Sequence, residues 1–143
     1  MSRVFLDTNI WMYAQGPESS QKRPCAVLVD RVARDEVEAV TDAEVLQEFL
    51  HRYWHLSKPE IGIGMVRHAC VALGPSRIVP VTGDTLRAAA DLLERYPNLS
   101  PRDLIHVAAM QEAGVTRICT YDQGFDAVPG IRRTEPAALL AEL

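Results

Sequence analysis

The sequence predicts a three-layer α/β/α domain built on a mainly parallel central sheet, with a Rossmann-like topology. Three observations carry that expectation. Short apolar runs of strand length alternate with helical patterns from end to end. The stretches between runs have the length of about 10–15 residues that a crossover helix needs. No linker, repeat or low-complexity tract interrupts the alternation. The 143 residues give room for one domain, taken as 1–143, and 48% apolar composition supplies a core, which excludes general disorder.

The elements follow in order. Val4-Phe5-Leu6 is an unbroken apolar run, as in a strand buried on both faces. Asp7-Thr8-Asn9 then leads into Ile10-Trp11-Met12-Tyr13, a short helix that Asp7 or Thr8 can cap. Residues 19–36 form an amphipathic helix with Cys25, Leu28, Val29 and Val32 on one face. Val37-Glu38-Ala39-Val40 is a second strand, after which Thr41 caps a helix over 42–55. On that helix Ala43, Leu46, Phe49, Leu50 and Tyr53 share an apolar face, and Glu44, Glu48, His51 and His55 form a polar stripe opposite.

Pro59 opens a further helix that runs to Leu73. Ile78-Val79-Pro80-Val81 reads as a strand, and Pro80, which cannot donate to a ladder, places it at a sheet edge or strand end. Residues 84–96 are helical. Ser100-Pro101 supplies an N-cap and a first-position proline for a helix that Gly114 closes. Val115 to Thr120 is a strand, Ile131-Arg132 a last short one, and 136–143 a terminal helix. Met65, Met110 and Ala88-Ala89-Ala90 read as packing.

Composition narrows the function. No window approaches the ~18 apolar residues of a membrane span, and Asp7 arrives too early for a secretory leader. Cys25, Cys70 and Cys119, an odd number at wide spacing, make neither a disulfide framework nor a zinc cluster, so a reducing cytoplasm is expected. The formal charge of −4 argues against a basic protein that coats nucleic acid. Thirteen of the fifteen bases are nevertheless arginine, the planar cation that matches phosphate. With four carboxylates assigned to a metal, the remaining acids and bases balance, and a polyanionic substrate is compatible with the chain.

In an open parallel sheet the functional crevice lies beyond the carboxyl ends of the strands. Asp7 directly follows the first apolar run, and Asp122 comes two residues after Thr120 ends another. Each candidate acid has a plain structural alternative. Asp7 can cap a helix, Glu48 can belong to a solvated face, and Asp103 sits at the third helical position where it favours the helix dipole. Glu44 can complete a capping box with Thr41, which leaves Glu48 the freer glutamate. Taken together they say more. Four carboxylates within ~5 Å repel by about 3 kcal/mol per pair at an effective dielectric near 20, so such a group is stable ionised only around a cation. Oxygen-only donors favour Mg²⁺ or Mn²⁺ over zinc, and that chemistry suits phosphodiester hydrolysis.

Four motifs in sequence carry a resemblance: Asp7-Thr8-Asn9, Leu46-Gln47-Glu48-Phe49, Ser100-Pro101-Arg102-Asp103-Leu104-Ile105-His106-Val107-Ala108 and Thr120-Tyr121-Asp122-Gln123-Gly124-Phe125-Asp126. The chain resembles a PIN domain and, within that family, the VapC-type ribonuclease toxins of type II toxin–antitoxin pairs. The resemblance implies an endoribonuclease dependent on Mg²⁺ or Mn²⁺, with RNA as substrate. It implies Asp7, Glu48, Asp103 and Asp122 as the catalytic and metal-binding quartet and Asp126 as an auxiliary acid. Thr8, Asn9 and Thr120 match small polar positions that orient those carboxylates. It further implies a homodimer and a cognate antitoxin whose tail occupies the cleft. Arg52, Arg87 and Arg102 are candidates for phosphate contact. Trp11 and Trp54 could stack on bases, though large hydrophobes on helices more commonly serve the core or a dimer.

Other classes have footholds. Glu48-Phe49-Leu50-His51 and Asp103-Leu104-Ile105-His106 are both acid-x-x-His, the pattern of di-metal carboxylate oxidases, but that four-helix fold has no use for the strands. On the nuclease reading His51 and His106 either support the carboxylates or are packed histidines, and packing is the preferred expectation. A haloacid-type phosphatase needs an aspartate where Asn9 stands, and a receiver domain needs a lysine after a late strand, which Lys22 and Lys58 do not supply. A catalytically idle PIN-fold module that only binds RNA or protein is the remaining alternative, and metal titration with a nuclease assay separates the two.

Overall fold

The first strand to leave the N-terminus, Val4–Leu6 (β1), becomes the centre of the sheet in the computed structural model, which describes residues 2–143. On one side it pairs with Ala39–Asp42 (β2), and that strand with Ile78–Val79 (β3). On the other side it pairs with Arg117–Cys119 (β4), and that strand with Arg132–Thr134 (β5). The order is β3-β2-β1-β4-β5 and every pairing is parallel. Val4, Phe5 and Leu6 are fully buried, as their unbroken apolar character demands for a strand covered on both faces.

Seven α-helices lie among the described residues. Gly83–Arg95 (α5) and Pro101–Ala113 (α6) pack against each other, tied by the Thr85 hydroxyl donating to Glu112 at 3.0 Å. Thr8–Gln15 (α1), Lys22–Ala33 (α2), Ala43–His55 (α3), Pro59–Leu73 (α4) and Pro136–Ala141 (α7) form a second contiguous group. The sheet lies between, in a three-layer α/β/α arrangement. The α3–α4 contact is close because Gly62 has no side chain: a Cβ there would lie 2.7 Å from the Phe49 carbonyl oxygen. Gly114 ends α6 in the left-handed conformation, φ 70°, which glycine adopts without strain. No helix among the described residues is long and apolar enough to cross a membrane.

Four local expectations are corrected. The second strand does not occupy 37–40 but runs on through Thr41 and Asp42, because both continue the ladder to Ile78 and Val79. The Thr41 hydroxyl donates to the Leu6 carbonyl at 3.2 Å instead of capping α3, and Asp42 takes the cap, accepting from Val45 N at 2.8 Å. No Thr41–Glu44 capping box forms. The buried face of α3 is also rotated from the expected one. Val45, Glu48, Phe49 and Tyr53 point inward, whereas Ala43 and Leu50 are exposed. Packing against α4 and α1 decides which side of α3 is covered: Gly62 closes on Phe49 and Tyr53, and Trp11 stands edge-on to Phe49. The parallel sheet itself leaves no room for a four-helix di-metal oxidase.

Candidate active site

The carboxyl ends of β1, β2 and β4 open on one cleft of about 1160 Å³ whose walls include Asp7, Glu48, Asp103 and Asp122. Asp7 follows β1 and Asp122 lies just beyond β4, and the two strand ends are held level by Asp7 N donating to the Cys119 carbonyl at 3.1 Å. Asp103 comes from the first turn of α6, where the Ser100 side chain accepts from its backbone N–H at 3.2 Å. Glu48 comes from the middle of α3 and is 8% exposed. Asp7 also caps α1, accepting from Thr8 N at 2.7 Å. Capping and lining the cleft are one geometry, not rival explanations.

Small polar residues hold these carboxylates. The buried Thr120 hydroxyl donates to Asp7 Oδ2 at 2.7 Å and accepts from Asn9 Nδ2 and Asp122 N, each at 3.0 Å. One donor and two lone pairs are thereby used in full. The Thr8 hydroxyl donates to Glu48 Oε2, and Asp122 Oδ1 accepts from Gly124 N at 2.8 Å. The loop from 120 to 124 is therefore fastened to α1 across most of the chain.

The electrostatics of the cleft are set by crowding. Burial pushes the Asp7 carboxyl above its ordinary value. Burial, then the charges of Asp7 and Asp122, push Asp103 up to about 6. Glu48 differs: burial raises it, but His106, whose Nε2 lies 3.7 Å away, with help from Thr8 and Arg102, holds it below the usual carboxylate range. His106 is 1% exposed, and burial alone would depress it. Its bond to Asp42, the Glu48 carboxylate 3.7 Å from Nε2, and the charges of Asp42 and Asp7 raise it well above the ordinary histidine value.

Among the described residues no group of three or more His, Cys, Asp or Glu side chains closes on a point as a ready cage. The acids line an open wall. That suits a hard cation that keeps several waters and takes one or two carboxylates together with substrate phosphate, as Mg²⁺ does. Asp7, Asp103 and Asp122 could hold such an ion, since each offers oxygen and their mutual repulsion is what a cation relieves.

Other expected residues fall differently. Asp126 does not join the quartet: its carboxylate pairs with Arg133 Nε at 3.1 Å and is turned to solvent. Arg87 does not line the cleft either; it is an exposed partner of Asp84 at 3.3 Å. Arg52 and Arg102 do line it, and Arg102 Nε lies 3.9 Å from Glu48 Oε1. His51 is not packed but exposed at the rim, its Nε2 3.1 Å from that of His55. Trp11 is buried edge-on to Phe49, while Trp54 stands 66% exposed. The residues that sequence reasoning undervalued are Asp42 and His106. The available signal was the Asp103–His106 spacing of three, which puts the histidine on the same helix face as the acid.

A central-first parallel sheet with four acids gathered at its carboxyl edge defines a PIN-type chain. The chain belongs to the PIN domain family, whose model matches residues 4–131. Its relatives include Ribonuclease VapC13 of Mycobacterium tuberculosis, 35% identical over 91% of this chain and 98% of the relative. Ribonuclease VapC23 of the same species is 34% identical over 83% of this chain and 92% of the relative. Among solved structures, a DNA-bound VapBC from Salmonella typhimurium superposes with a TM-score of 0.71 at 16% identity, covering 95% of this chain and 99% of that one. Mycobacterium tuberculosis VapC20, described as a Sarcin-Ricin loop cleaving toxin, gives 0.67 at 20% identity, covering 87% and 93%. At those identities the structural likeness speaks for the fold.

Proposed function

We propose that this chain is a metal-dependent endoribonuclease and the toxin of a toxin–antitoxin pair. The observation that supports it most is the gathering of Asp7, Glu48, Asp103 and Asp122 on one cleft wall from four separate stretches of sequence. The ribonuclease names of relatives matched over nearly their whole length give the substrate class. Bound Mg²⁺ or Mn²⁺ would supply a water of lowered pKa and neutralise charge developing on the phosphate. Asp7, Asp103 and Asp122 would hold that ion. Glu48 is kept ionised in the same cleft by Thr8, His106 and Arg102. Arg52 and Arg102 stand at the cleft wall to receive neighbouring phosphates, and the fork of a guanidinium suits that contact. Hydrolysis then adds water across the P–O3′ bond of the strand lying in the cleft.

The complexes in which similar folds were solved are toxin–antitoxin assemblies, and an antitoxin that fills this cleft would silence the chain by excluding RNA. The test is cleavage of a panel of structured RNAs with Mg²⁺, with Mn²⁺ and with chelator. Cleavage that needs the metal and disappears in Asp7→Asn is the expected result. RNA left intact by the wild-type chain in every metal overturns the reading in favour of an idle binding module.

A further inference from the structure

Asp42 and His106 are both buried; the function just proposed uses His106 only as a charge beside Glu48, and Asp42 not at all. The two oxygens of Asp42 have different tasks. Oδ1 caps α3 through Val45 N at 2.8 Å, and Oδ2 lies 2.7 Å from His106 Nδ1. A carboxylate only accepts, so Nδ1 carries the proton in that bond. One side chain thus ties the start of α3, which carries Glu48, to the middle of α6, which carries Asp103. The Phe5 ring packs on the imidazole with centroids 5.4 Å apart and fixes its plane. With Nδ1 and the plane both set, Nε2 points from behind the cleft wall toward two of its carboxylates. It stands 3.7 Å from Glu48 Oε2 and 3.8 Å from Asp7 Oδ1, between residues of two other elements.

We propose that His106, aimed by Asp42, is a positioning residue that holds the Glu48 and Asp7 carboxylates in register across the cleft wall; the assignment rests on the endoribonuclease reading. A histidine present only to fill the core would depend on its buried bond to Asp42. A positioning histidine depends on the nitrogen facing the acids. The two roles part in a pair of substitutions. His106→Asn puts an amide nitrogen near the place of Nδ1, keeps the Asp42 bond and loses reach to Glu48 and Asp7. His106→Gln puts one near the place of Nε2, keeps that reach and gives up Asp42.

Both variants are compared with the wild-type chain for Tm, for kcat and KM on a cleaved RNA, and for Mn²⁺ affinity by calorimetry. Positioning predicts that the Asn variant melts near wild type yet loses about 10–100-fold in kcat and in Mn²⁺ affinity. The Gln variant melts lower but keeps kcat within about tenfold, with KM little changed in either. Activity that follows Tm, with Asn above Gln, overturns the assignment and leaves the ribonuclease reading intact. A wild-type chain that neither cleaves RNA nor binds Mn²⁺ overturns that reading itself. Should either variant fail to fold, histidine-ring ¹⁵N spectra of the full chain decide. Glu48→Gln must move the His106 Nε2 resonance and leave Nδ1 in place, and an unmoved Nε2 ends the proposal.

Discussion

Asp103 holds its proton more firmly in the folded chain than in the unfolded one, where the ordinary value is 3.8 and the folded value about 6. Stability from a raised carboxyl is complete below the unfolded value and is lost as pH rises through the folded one. In chelator, Asp103→Asn therefore melts close to the parent near pH 4 and above it at pH 7, by about 3 °C. A variant that melts below the parent at both values contradicts the crowding argument. Asp7→Asn keeps an oxygen to accept from Thr8 N, so circular dichroism is expected to be unchanged. Cleavage should nevertheless fall by well over the ~100-fold that supporting residues cost. That Asp7, Asp103 and Asp122 share one cleft was legible because acids at strand ends and at a helix start stand out against the apolar runs, whereas Glu48 rested on the resemblance. Asp42 was not, since its burial depends on a strand that continues two polar residues past Val40. The inward turn of Glu48 escaped for a related reason: a helical wheel counts apolar residues, and Glu48 is drawn in by polar partners, Thr8 and His106, from two other helices.

At the level of elements, most of the order was readable from punctuation. Pro59, Pro80, Ser100-Pro101 and Gly114 fall where helices and strands begin or end. What punctuation cannot show is how near two helices come. Gly62 lets α4 close on α3, with the Phe49 carbonyl where a Cβ would be. Gly62→Ala should destabilise the chain by about 1–3 kcal/mol, because backbone must move to admit the methyl. Equilibrium urea unfolding measures it, and an unchanged midpoint would show that the helices separate freely. Ser100→Ala removes the α6 cap and should cost about 1 kcal/mol. It also loosens the turn that presents Asp103, so activity should fall further than stability alone explains.

For the whole molecule, a net charge of −4 on a protein proposed to bind RNA means that attraction must be local. Arg52, Lys58 and Arg102 are the cations that line the cleft, and the two arginines offer the fork that matches phosphate. Replacing both with Ala should weaken RNA binding. It should also reduce the slope of log affinity against log salt by about 0.7 for each phosphate of a single strand that is no longer neutralised. An unaltered slope in filter binding would assign the phosphates to other cations. The sheet order has a consequence of another kind. β1 precedes β4 by more than a hundred residues, yet it pairs with it on one side, and Asp7 is fastened to Thr120. A nascent chain halted before β4 has three of the five strands and no closed cleft. A ribonuclease built this way cannot act on the message that encodes it until its fourth strand has been made.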